Sequence, residues 1–183
     1  MVPIRHRYEA VAQELIKHSR QPDVITRDAV FQKSNLTNRR LVEGVVADLI
    51  LPGSGIDGFD HLAKMFALAQ QGKPCLILME HYSNFDIPSL YYLLKDHGAQ
   101  GDAIGDSIVS IAGMKLNEES RFVRAFSEAY TRLVIYPARS LERITDPEER
   151  AAEAKKAAEL NHHATRHMIR LKHEGHMILV FPA

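Results

Sequence analysis

The chain has 183 residues, 45% hydrophobic and 25% charged, with 23 basic and 23 acidic side chains and a formal net charge of zero. This is ordinary globular composition for one sizeable domain; it excludes a largely disordered chain and a global basic field that would draw it to nucleic acid. The single cysteine, Cys75, excludes an internal disulfide framework and fits a reducing, cytoplasmic setting. No apolar run reaches the about eighteen residues that span a bilayer, and the opening MVPIRHRYEAVAQEL lacks the apolar core of a signal peptide. An integral membrane protein is therefore not expected, whereas a peripheral membrane contact stays open.

In chain order, residues 1–72 read as a small helical N-terminal region. Helices are expected over Ile4–Ser19, Asn35–Leu51 and Gly58–Gly72, with breaks at Gln21-Pro22 and Pro52-Gly53-Ser54-Gly55. The segment 23–34 is ambiguous. After Gly72-Lys73-Pro74 the texture changes, and residues 73–183 read as an α/β core. Cys75–Met79 is a continuous apolar run, which suits a strand buried on both faces. Ile87, Leu90, Tyr91 and Leu94 then fall at helical spacing over 86–97, with Asp86 at the cap or in the first turn and Pro88 tolerated there.

A glycine-rich connection at 97–102 leads to a strand over Ser107–Ile111, a helix over Glu119–Tyr130 and a strand over Arg132–Tyr136. Thr145-Asp146-Pro147-Glu148-Glu149 is a strong helix start, and that helix runs to about His173, where Gly175 ends it. Met177–Phe181 is the last strand. Alternating strands and helices predict an α/β fold: a central mixed sheet flanked by helices. An ending directly after an apolar strand suggests that the C-terminal part of the domain is missing from this chain.

Three His–Asp pairs share the H-x-x-x-x-D spacing: His18/Asp23, His81/Asp86 and His97/Asp102. The spacing alone therefore carries little information. His18 lies near a helix end with Asp23 beyond Pro22, and His97 sits where the last carbonyls of a helix need partners. His81 differs, because it follows a strand directly while Asp86 opens the next helix. That puts both side chains in one loop at the edge of the sheet where α/β chemistry gathers. An aspartate bonded to one imidazole nitrogen fixes the tautomer and leaves the other nitrogen free to take a proton. The same residues also suit a histidine that satisfies a loop carbonyl and an aspartate that merely caps a helix. Spacing and context leave both readings open.

The stretch EHYSNFDIPSL, Glu80–Leu90, resembles the H-x-x-x-x-D block of the glycerolipid acyltransferases, which acylate glycerol-3-phosphate and lysophosphatidate. Ser83 and Asp86-x-Pro88 fit the soluble glycerol-3-phosphate acyltransferase branch, while Glu80 stands where the family commonly has asparagine. IAGMKL (111–116), followed by RLVIYPARSL (132–141), resembles the second block, and ILVFPA (178–183) the start of a block usually continuing F-P-x-G-T-R. The resemblance covers residues 73–183. It implies that His81 is the general base oriented by Asp86, and that the acyl group passes directly from acyl-CoA or acyl carrier protein to a glycerol phosphate acceptor. Arg139 matches the phosphate-binding position approximately, and Lys115 is a looser candidate; solvated surface charge is the alternative for each. No cofactor beyond the thioester co-substrate is implied.

The resemblance leaves rivals. The acceptor could be lysophosphatidate, or the chain could be a non-catalytic acyl- or phospholipid-binding module of the same fold. Cys75 begins a strand with no base beside it, so core packing is expected rather than nucleophilic chemistry. His162, His163, His167, His173 and His176 crowd one region, and the i, i+4 pair His163/His167 has zinc-ligand spacing. Without an H-E-x-x-H pattern the cluster reads as a solvated helix face, and no resident metal is expected.

Overall fold

The structure is a computed structural model and describes residues 4–182. The expected first helix is interrupted at Tyr8 into α1 (Ile4–Arg7) and α2 (Glu9–His18), and the Tyr8 hydroxyl and Arg7 both reach Asp48. The ambiguous 23–34 segment holds a 3₁₀ turn at Arg27–Ala29 and a two-residue strand, β1 (Phe31–Gln32). Asn35 caps α3 (Leu36–Leu49), its side chain accepting from the Thr37 and Asn38 amides as helix starts require. α4 spans Phe59–Gln70.

β2 (Cys75–Leu78) is followed by α5 (Asp86–Leu94), a 3₁₀ turn at Lys95–His97, and α6 (Gly98–Ser107). β3 (Ile108–Gly113), α7 (Lys115–Glu118), α8 (Arg121–Ser127), β4 (Arg132–Ile135) and α9 (Ala138–Glu142) come next. The 27-residue α10 (Pro147–His173) and β5 (Met177–Val180) complete the order. The strong start expected for α10 is present: Asp146 accepts the Glu149 amide at 2.7 Å, with Pro147 in the first turn. Gly175 takes φ +86° just past its end, where a side chain would be strained.

The sheet order is β1-β4-β3-β5-β2. β4, β3, β5 and β2 are parallel, and β1 adds to β4 antiparallel. The protein is therefore α/β, with a mixed sheet flanked by helices. One face packs against α2–α6 and α8, where Leu15, Val46, Tyr91 and Leu94 meet Ile108, Met177 and Leu179. The other face packs against α10, where Leu160, Ala164 and Leu171 meet Val109, Leu133 and Ile178. β5 is apolar throughout because Ile178 and Leu179 are buried on opposite faces.

The same reading fails for β2. Cys75 and Ile77 face the core, but Leu76 and Leu78 are 54% and 65% exposed. β2 is an edge strand, and a short apolar run does not reveal whether both faces will be covered.

The glycine-rich stretch after His97, expected as a connection, is the helix α6. Gly98 takes φ +58° at its start, while Gly101 permits close contact: a Cβ there would lie 1.8 Å from the Leu94 carbonyl oxygen. Gly101→Ala should therefore displace α6 from the end of α5 and destabilise the protein by about 1–3 kcal/mol, the usual cost of overpacking. Urea unfolding measures it; an unchanged midpoint would show that the joint can relax.

Candidate active site

In a parallel sheet the carboxyl ends of all strands lie on one edge, where loops turn into helices. His81 follows β2, Lys115 follows β3, Arg139 follows β4 and Phe181 follows β5. All four residues therefore belong to segments leaving the same edge.

Of the three His–Asp pairs, one is formed. His81 Nδ1 lies 2.7 Å from Asp86 Oδ2. His18 pairs instead with Glu14, Nε2 to Oε2 at 3.3 Å, while Asp23 takes the Val24 amide. His97 stacks flat on Phe59, with ring centroids 3.6 Å apart.

The loop from His81 to Asp86 is folded around one carboxylate. Asp86 Oδ2 also accepts the Tyr82 and Ser83 amides at 2.8 and 2.9 Å, and Ser83 Oγ accepts the Phe85 amide. Asp86 is thus a first-turn residue of α5 whose side chain turns back onto the loop; the residue at the cap position is Phe85. Burial alone would raise the Asp86 pKa, but the bonds from Ser83, His81 and Tyr82 outweigh it and hold the carboxyl below its ordinary value. An ionised carboxylate only accepts, so the neutral imidazole carries its proton on Nδ1 and leaves the Nε2 lone pair able to accept a proton. The His81 side chain is 50% exposed and can be reached from solvent, while that of Asp86 is 13% exposed and lies behind it.

A carboxyl whose folded pKa is depressed stabilises the fold above its unfolded value, and the contribution is lost as pH falls through the folded value. Wild type and Asp86→Asn should therefore have similar unfolding midpoints in strong acid. Above about pH 4, the ordinary aspartate range, wild type should become the more stable. Parallel midpoint-versus-pH curves would overturn the assignment.

Around the pair, the Tyr82 hydroxyl donates to the Glu80 carboxylate, which raises the Tyr82 pKa. Phe181 lies against the His81 ring, with centroids 4.5 Å apart and a 30° tilt. Reading along the chain did not single out Phe181 as a site residue. Its partner becomes visible only when β2 and β5 pair in parallel, Leu78 opposite Val180, with the Met79 amide bonded to Val180.

Lys115 and Arg139 are exposed, and among the described residues neither has a carboxylate partner within 4.0 Å. With neighbouring strands about 4.8 Å apart, β3 lies roughly 10 Å from β2 and β4 roughly 14 Å. Lys115 thus follows the strand nearer to β2, and Arg139 follows the one beyond it. Cys75 Sγ donates to the Met65 and Lys73 carbonyls and sits against the core.

Among the described residues no three His, Cys, Asp or Glu side chains gather as a metal site. On α10, Arg170 Nη2 lies 2.9 Å from His167 Nδ1. A guanidinium only donates, so Nδ1 accepts with its lone pair and the neutral ring carries its proton on Nε2. Burial, with Arg170 and His163 beside it, also lowers the His167 pKa. No helix among the described residues is long and apolar enough to cross a membrane. The sequence matches no family model and no curated protein.

Proposed function

We propose that the protein is an O-acyltransferase that moves a fatty acyl group from a thioester, acyl-CoA or acyl carrier protein, to a hydroxyl of glycerol-3-phosphate. The observation that carries this reading is the His81–Asp86 pair, closed at 2.7 Å in the loop after β2 and set in an acyltransferase-like block. His81 Nε2 takes the proton of the acceptor hydroxyl as its oxygen attacks the thioester carbonyl carbon. The tetrahedral intermediate then expels the thiolate, which recovers the proton from the imidazolium. Asp86 supports the charge that His81 gains and keeps Nδ1 as the donor.

The acceptor's phosphate is held by Lys115, with Arg139 further along the same edge. A charge-assisted hydrogen bond to phosphate contributes about 1.5–3 kcal/mol, roughly tenfold to hundredfold in affinity. Lys115→Ala should therefore raise the KM for the phosphorylated acceptor by about that factor, and Arg139→Ala by less. Equal and negligible effects would remove both from the site.

The test of the function is thiol release from an acyl thioester, with glycerol-3-phosphate and lysophosphatidate as competing acceptors and folded His81→Ala as the control. Turnover with glycerol-3-phosphate that disappears in His81→Ala supports the reading. No turnover with either acceptor, or equal turnover in the variant, overturns it.

A further inference from the structure

We infer that Phe181 is a positioning residue for His81, fixing the plane of the imidazole so that Nε2 points in one direction. This inference rests on the reading of His81 as the base. The hydrogen bond to Asp86 holds one ring atom, Nδ1, and leaves the ring free to pivot about that contact. Two rings with centroids 4.5 Å apart and tilted by 30° touch across their flat sides at an angle, and that contact resists the pivot. Together the carboxylate and the phenyl ring define both an in-plane direction and the plane itself.

The arrangement has a simple origin in the sheet. β2 and β5 are parallel neighbours in register, Leu78 opposite Val180, and the Met79 amide extends their pairing by one bond. The residues that follow each strand therefore emerge side by side. Phe181 is also packed against the main core cluster, so the surface it offers His81 is itself held in place. His81 remains half exposed, so substrate has access to the ring despite the phenyl contact.

Phe181→Leu keeps apolar bulk without a flat face, Phe181→Tyr keeps the face, and Phe181→Ala removes both. Loss of the flat face should lower kcat by about tenfold to hundredfold while KM changes little, as expected when a reacting group is misaimed. Phe181→Tyr should restore kcat. The decisive readout does not depend on turnover: nuclear Overhauser contacts of the His81 ring protons report the orientation of the ring, and long-range ¹H–¹⁵N spectra report the Nδ1–H tautomer that Asp86 sets. Wild type should show one set of ring contacts to the 81–86 loop; Phe181→Leu should keep the Nδ1–H tautomer but show contacts averaged over several ring orientations. A Phe181→Leu protein whose His81 ring keeps the wild-type contacts to that loop overturns the inference, whatever its activity. A wild type that passes the spectral test but transfers no acyl group overturns the acyltransferase reading and leaves Phe181's role standing. Phe181→Leu carries the test if Phe181→Ala fails to fold.

Discussion

Glu128→Ala should lower the free energy of unfolding by about 3–5 kcal/mol, the usual effect of breaking a buried charged network from one side. Glu128 is fully buried just past α8. Its carboxylate accepts from Ser19 Oγ, the Arg20 and Gln21 amides, and the side-chain amides of Asn35 and Asn38. These donors come from the end of α2 and the start of α3, so one side chain ties three helices together. Across from it Arg132 is only 2% exposed, with Nε donating to Gln32. Burial draws the Arg132 pKa down to about 10, and Glu128 opposes that shift. Alanine would take the carboxylate from five donors, of which only the Asn35 and Asn38 side chains keep other acceptors, and would remove a charge that favours the buried guanidinium. Glu128→Gln keeps the shape and one acceptor, so it should lose less, about 1–3 kcal/mol. Urea unfolding with an unchanged slope measures both. A loss below about 1 kcal/mol for alanine would mean that the network rearranges around the gap.

The second large effect is chemical. If His81 is the base, His81→Ala should lower kcat/KM by about 10²–10⁴, the range for a positioned general base. Asp86→Ala should also be severe, because the carboxylate anchors the Tyr82 and Ser83 amides as well as the imidazole. The double variant separates a working pair from two independent residues. When two groups act as one unit their losses do not add, so His81→Ala with Asp86→Ala should be little worse than His81→Ala alone. Multiplying losses would mean that Asp86 acts on the substrate independently of His81.

The sequence made legible those features whose cause is local. Asp146 and Pro147 start α10 and Gly175 follows its end, because capping and positive φ are chemistry of a few adjacent residues. The His81–Asp86 loop belongs to the same class, since its bonds all fall within six residues. What stayed hidden depends on distant chain. Phe31 and Gln32 form a strand only because β4 offers them a partner. α6 is obscured because Gly101 and Gly105 serve close packing against Leu94, a contact that its own sequence does not announce. The nearness of Phe181 to His81 follows from strand order, which no single segment encodes.

The position of β2 at the rim of the sheet has a consequence for how the protein behaves at high concentration. Among the described residues one side of that strand has no neighbouring strand, and its outward face carries Leu76 and Leu78. A free edge beside exposed leucines is a template onto which the same strand of another molecule can add, the first step of self-association into larger assemblies. Lys73 and Pro74 before the strand and Glu80 after it, all exposed, stand as gatekeepers at its two ends. The rim strand that leads to His81 is thus also a place where the protein is open to aggregation, and charge and proline bracket its four residues.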